Sequence, residues 1–167
     1  NGQRAAPGAI ERVRIDAETL EPRYKVIGCD LWSDEEGFDE AIGETGVTGI
    51  CGSGIIEAIA VLYLSGIVST DGVLLGDKAS NSPRIVNDGK TWGYKMVASR
   101  ADKKNPDTDA LLRKDSNSET GVLITQNDIR AIQLAKGTLY ASVMLLKDKL
   151  KIDKIEKISF AGAFGAH

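Results

Sequence analysis

A glycine-dense run, Thr48-Gly49-Ile50-Cys51-Gly52-Ser53-Gly54-Ile55-Ile56-Glu57, passes straight into an apolar helical stretch. The first turn of a helix leaves several backbone N–H groups without internal partners and carries the positive end of the helix dipole. Glycines at such a place let an anion come close to the main chain. Gly49, Gly52, Ser53 and Gly54 are therefore candidate phosphate-binding residues. Glycine also permits a sharp bend, or a helix lying close on a sheet, so a packing explanation stays open beside the phosphate one. The two part at Gly54: valine there costs nucleotide affinity with the fold intact if phosphate approach is the reason, and costs the fold if packing is.

A second glycine turn, Ala161-Gly162-Ala163-Phe164-Gly165, follows the apolar run Lys157-Ile158-Ser159-Phe160. In open α/β folds ligands gather where loops leave the carboxyl ends of strands, so two such turns are expected to face one crevice, one for phosphate and one for base or ribose. Gln133 and Lys136 lie three apart on one helix face, and their small neighbours Ala135 and Gly137 leave room either for a ligand or for a close neighbouring backbone. The first turn lacks the lysine of G-x-x-x-x-G-K-[ST], and its spacing is not G-x-G-x-x-G, which disfavours both familiar nucleotide motifs. His167 is the single histidine, so hydrolysis by a Ser-His-Asp or Cys-His set is not expected, and no catalytic residue is assigned. Cys51 is either a thiol activated by the helix start or a small buried side chain. Cys29 and Cys51 form neither a CxxC pair nor a metal-ligand pattern.

The elements that must position these residues alternate strands and helices. Ile10–Ile15 and Tyr24–Ile27, separated by polar residues and Pro22, predict a β-hairpin. The acidic segment from Asp30 to Glu44, with Asp34, Glu35, Glu36, Asp39 and Glu40 and no basic residue, predicts a solvated loop. A helix is expected from Ser53 to Ser65, apolar round much of its surface and mostly buried, with Gly66 after its end. Residues 70–120 predict an irregular insertion with one strand pair, Arg84-Ile85-Val86 and Tyr94 to Val97 joined through Asn87-Asp88-Gly89, and a mobile excursion from Asp102 to Ser118. Val122-Leu123-Ile124 forms a strand, and Thr125 then caps the longest helix with Asp128 three residues on, close to a capping box. Ile129, Ile132, Ala135, Leu139, Val143 and Leu146 predict an apolar stripe packed on a sheet.

Length and charge narrow the function. The 167 residues fit one domain, and a net charge of −3 gives no basic face for DNA or RNA. No apolar run approaches the length a membrane span needs and the first residues lack a signal peptide's core, so neither nucleic acid nor membrane is expected as a partner, and a cytoplasmic location is. The chain ends at His167 before the helix that the second glycine turn should begin, so residues 1–167 are expected to be one domain of a larger protein.

Four stretches, Arg4 to Glu11, Gly46 to Ile56, Ile124 to Lys136 and Ala161 to Gly165, resemble in order the C-terminal ATPase region of the reductive activators of corrinoid proteins. The resemblance implies an α/β fold, a ribonuclease H-like subdomain of the actin, hexokinase and chaperone ATPase superfamily, with a mixed sheet and packed helices. It implies ATP or ADP with Mg²⁺ as cofactor and an iron–sulfur cluster held outside this chain. It further implies electron transfer that restores Co(II) corrinoid to Co(I) for methyltransferases. The expected partners are a corrinoid protein or corrinoid methyltransferase and the rest of its own chain. By resemblance, Gly49 to Gly54 lies near the nucleotide, Gly162, Ala163 and Gly165 match the adenosine turn, and Gln133 and Lys136 match ribose contacts. The usual double glycine is Gly162-Ala163 here, and the superfamily's aspartate-glycine phosphate turn has no counterpart in the chain. The fragment alone is therefore not expected to be a competent ATPase. A non-catalytic partner-docking module and a small-molecule kinase of the same superfamily are the alternatives.

Overall fold

Strands β1 (Ala9–Ile15) and β2 (Pro22–Val26) pair antiparallel, as their alternation predicts, with Val13 opposite Tyr24 on the buried face. Ile10 and Val13 are three apart, which a regular strand would send to opposite faces. A bulge between Ile10 and Arg12 lets both reach the core. The computed structural model describes residues 2–87, 89–99 and 121–159. They fall into two compact units, Asn1–Ile129 and Arg130–His167, each taken by itself below.

The β1–β2 turn is held by Asp16, whose Oδ1 accepts from the Glu18 amide (3.0 Å), the Thr19 amide (2.7 Å) and the Thr19 hydroxyl (2.9 Å). Leu20, buried at φ +59, occupies left-handed backbone space that a branched side chain rarely takes, and its carbonyl accepts from the Tyr94 hydroxyl at 2.8 Å. The Thr19 amide, the Thr19 hydroxyl and the Glu18 amide hold the Asp16 carboxyl below its ordinary value of 3.8. Asp16 therefore contributes stability that is complete above 3.8 and is lost as pH falls through the lower folded value. Urea unfolding of wild type and Asp16→Asn should differ at neutral pH and converge in strong acid. A difference that persists at the lowest pH would contradict this origin.

Strand β3 (Gly49–Ile50) runs parallel to β1, giving a mixed sheet in the order β2-β1-β3. The acidic segment is not wholly a solvated loop. Helix α1 (Phe38–Ile42) buries Phe38 and Ile42, one turn apart, while Asp39 and Glu40 stay in water. Phe38 meets Tyr24 edge to face at 6.0 Å. Helix α2 (Gly52–Leu64) matches the predicted span within a residue, but not the predicted burial. Only the stripe Gly54, Ala58 and Leu62, at spacings of four, is buried, and Ile56, Tyr63 and Leu64 are exposed. A helix lying on one sheet face covers one stripe. Gly66, at φ +67, ends it in a Schellman motif: the Gly66 amide donates to Tyr63 O (3.0 Å) and the Ile67 amide to Leu62 O (2.9 Å).

Strands β4 (Ile85–Asn87), β5 (Trp92–Val97) and β6 (Val122–Thr125) form a second, antiparallel sheet in the order β4-β5-β6. The predicted strand pair is present, but Asn87 faces Trp92, so the connection is longer than an Asn-Asp-Gly turn. Tyr94, Met96, Ile124 and Ile129 join Ile10, Val13 and Leu62 in one core cluster. The stretch from Asp102 to Ser118 lies outside the described residues.

Helix α3 (Gln126–Leu150) opens on the predicted capping box. Asp128 Oδ2 accepts from the Thr125 amide (2.8 Å), and the Thr125 hydroxyl accepts from the Asp128 amide (3.2 Å). Its first turn belongs to the first unit and the rest to the second. Of the stripe expected to pack on a sheet, Ile129 is buried in the core of the first unit, whereas Leu139, Val143 and Leu146, in the second unit, are exposed. Lys157 to Ser159, expected to begin a final strand, join no sheet, and Ile158 is exposed. Residues 160–167, including the second glycine turn, lie outside the described residues.

Candidate functional site

The β3–α2 junction gathers two of the sequence motifs. The Thr48 amide donates to Gly8 O (3.0 Å), the Gln3 amide to Ile50 O (2.9 Å) and the Cys51 amide to Ile10 O (3.0 Å). The stretch from Arg4 to Glu11 thus brackets the glycine run. Gly8, at φ +80, is required there, since a Cβ would sit 2.5 Å from Gly46 O. Cys51 is the extended N-cap, and the first helical bond runs from the Ile55 amide to Cys51 O at 3.0 Å. The amides of Gly52, Ser53 and Gly54 precede that bond, and the first turn carries no acid to neutralise the dipole.

The four candidates differ in what they can do. Gly49 is buried inside β3, paired with Ala9. Gly54 is buried against β1, where a Cβ would lie 2.2 Å from Ile10 O and 3.0 Å from Ile50 Cγ1. Close packing explains Gly54, and phosphate approach is not needed for it. Gly52 and Ser53 are half-buried and retain access to solvent. Cys51 is buried, with its Sγ 3.2 Å from Ser53 Oγ, so the small buried side chain is the reading that holds.

Glu57 was not singled out by sequence reasoning, yet it fastens the site to the sheet. Its Oε2 accepts from the Val13 amide at 3.0 Å and its Oε1 pairs with Arg14, with Arg12 at 3.9 Å. On β1, strand β3 pairs with Ala9 and Ile10, so the Val13 N–H lies past its end and a side-chain carboxylate takes the place of a strand. The one signal in the sequence is a lone carboxylate in an otherwise apolar helix.

Gln133 and Lys136 lie on α3 in the second unit. Gln133 is half-buried and accepts from Arg130 at 3.4 Å, and Lys136 is exposed. Gly137 has nothing within 4 Å of where a Cβ would stand, so among the described residues it admits no neighbouring backbone. Gly162, Ala163 and Gly165 fall outside the described residues. A cavity of about 580 Å³ lies elsewhere, at the turn end of the β1–β2 hairpin, lined by Arg14, Thr19, Glu21, Arg23, Ser33 and Arg84 among others.

A family model described as the C-terminal domain of RACo, the ASKHA domain, matches residues 1–167. The corrinoid activation enzyme RamQ of Eubacterium limosum is 32% identical over 171 residues, covering 98% of this chain and 24% of that protein. A solved structure described as a reductive activator for corrinoid, iron-sulfur protein matches with a TM-score of 0.66 and 26% identity, over 98% of this chain and 21% of that one. The chain therefore spans about a quarter of the length of the curated relative it matches.

Proposed function

The chain belongs to the family of C-terminal ASKHA domains of RACo, and on that premise we propose that it is the nucleotide-binding subdomain of an ATP-dependent reductive activator that returns Co(II) corrinoid to Co(I) in methyltransferase systems. The fold is of the α/β, actin-like class that the family name denotes. The observation that carries the nucleotide reading is the β3–α2 junction, where the amides of Gly52 and Ser53 and the Ser53 hydroxyl stand at the positive end of a 13-residue helix. That donor set fits an anionic phosphate. It offers no carboxylate for Mg²⁺, so the groups that hold the metal and activate water belong to the remainder of the protein.

In this reading Gly52 and Ser53 hold phosphate, Gln133 and Lys136 reach the ribose, and Gly162, Ala163 and Gly165 wall the adenosine. ATP, when bound, would supply free energy for the reduction, and this chain's own residues would bind and orient it. An iron–sulfur cluster held outside this chain would supply the electron. A corrinoid protein or methyltransferase receives it, in the cytoplasm. No helix among the described residues is long and apolar enough to cross a membrane.

Calorimetry with ATP and ADP tests the reading on this chain and on the full-length protein. Binding by the full-length protein that weakens about tenfold or more in Ser53→Ala is the expected result, since one hydrogen bond to a charged group contributes about 1.5–3 kcal/mol net. Absence of nucleotide binding in both proteins would leave the glycine turns structural and favour a partner-docking module.

A further inference from the structure

Helix α2 is held to strand β1 at two points of different kinds. At the first, Gly54 lies so close that a Cβ would stand 2.2 Å from Ile10 O. At the second, three residues on along both elements, Glu57 Oε2 accepts from the Val13 amide at 3.0 Å. Arg14 closes this second point into a ring, since its Nη1 donates to Val13 O at 2.7 Å and also pairs with Glu57 Oε1. One close contact sets where a helix sits, and a second sets the direction of its axis. The amides of Gly52 and Ser53 lie ahead of Gly54, outside the interval between the two contacts, so a pivot about Gly54 would move them. The Gly52 amide is about 3 Å along the axis from Gly54, so a pivot of about 10° displaces it by about 0.5 Å. That is enough to carry an N–H···O bond of about 2.9 Å beyond its usual range.

We propose that Glu57 is a positioning residue for the phosphate: by the reach of its side chain to the Val13 amide it fixes the axis of α2, and with it the aim of the Gly52 and Ser53 amides. The proposal rests on the nucleotide reading above. Helical side chains lean back over the preceding turn, which places Glu57 above the turn that carries Ser53 and Gly54. Its side chain is only 22% exposed. The alternative is that the bond merely satisfies a strand amide, in which case it affects stability and nothing at the helix start. The two differ in what chemistry position 57 needs. Aim depends on the length of the side chain and on an acceptor oxygen, and not on the charge. Glu57→Asp keeps the charge but is one bond of about 1.5 Å shorter, which takes the carboxylate out of reach of the Val13 amide. Glu57→Gln keeps the reach and the acceptor and loses the charge, and Arg14, already 48% exposed, turns to water.

The test uses the full-length protein, with ATP Kd from calorimetry at a temperature well below every unfolding midpoint, and the midpoints measured alongside. Glu57→Asp should weaken ATP binding about fivefold or more, whereas Glu57→Gln should stay within about twofold of wild type. Ser53→Ala should cost less affinity in the Glu57→Asp background than in wild type, because the donor it removes is already misplaced. A Glu57→Asp protein with a lowered midpoint and wild-type ATP affinity overturns the proposal while leaving the activator reading intact. So do fully additive losses in the Ser53→Ala, Glu57→Asp double variant. A loss in Glu57→Gln as large as that in Glu57→Asp overturns it by making charge the determinant, and a Glu57→Asp protein that does not fold overturns it by giving the carboxylate to the fold. A wild-type protein that binds no ATP overturns the nucleotide reading and this proposal with it.

Discussion

Gly54→Val should leave the first unit unable to fold, and Gly54→Ala should destabilise it by about 3 kcal/mol, the upper range for a methyl forced into a packed core. The reason is geometric. A Cβ at this position would stand 2.2 Å from Ile10 O, a backbone atom that cannot rotate aside, and 3.0 Å from Ile50 Cγ1. Relief requires α2 to lift from β1, which also pulls Ala58 and Leu62 out of the core and Glu57 away from the Val13 amide. Urea unfolding followed by far-ultraviolet circular dichroism measures the loss. Ser53→Ala, one residue earlier and half-buried, should keep the wild-type midpoint. A Gly54→Ala protein of unchanged stability that has lost nucleotide affinity would return the glycine to the phosphate and refute the packing explanation.

Glu21→Ala should cost about 3 kcal/mol while Arg84→Met should cost about 1 kcal/mol, because taking the carboxylate from a buried guanidinium is worse than replacing the guanidinium with an apolar side chain of similar reach. Arg84 is 1% exposed, and its Nε and Nη2 fork onto Glu21, with Nη2 to Oε2 at 2.7 Å. Glu21 is 37% exposed and can hydrate when the arginine is gone. The pair ties the hairpin turn to the second sheet beside the Tyr94–Leu20 bond, so the same variants report on how firmly the two sheets are joined. Denaturant midpoints of the two single variants and the double variant measure the coupling. Equal costs for the two single variants would mean that Arg84 is not held as a buried cation dependent on Glu21.

Local features were readable where neighbours in the chain supply the physics. The β1–β2 hairpin, the Thr125–Asp128 capping box and the Gly66 helix end each depend on residues a few positions apart. The strand pair about Tyr94 was readable for the same reason, though the longer connection was not. Burial was less legible. Helix α2 carries apolar residues round much of its surface, yet a single sheet face covers only Gly54, Ala58 and Leu62. The acidic segment hid α1, because its two anchors, Phe38 and Ile42, are outnumbered by carboxylates that have no part in holding it.

By itself the sequence determined the kind of protein this is. Four spaced motifs and alternating periodicities carry the family and the α/β class, since motif order and apolar spacing survive without knowledge of contacts. The tertiary structure alone decided what each glycine and charge is for. Gly54 touches Ile10 across 44 positions, Glu57 replaces a missing strand at Val13, Glu21 meets Arg84 across 63 positions, and Arg14 faces Arg23 through strand register. These pairings exist only once the chain has closed on itself, because distance in space, not in sequence, sets steric exclusion and Coulomb attraction.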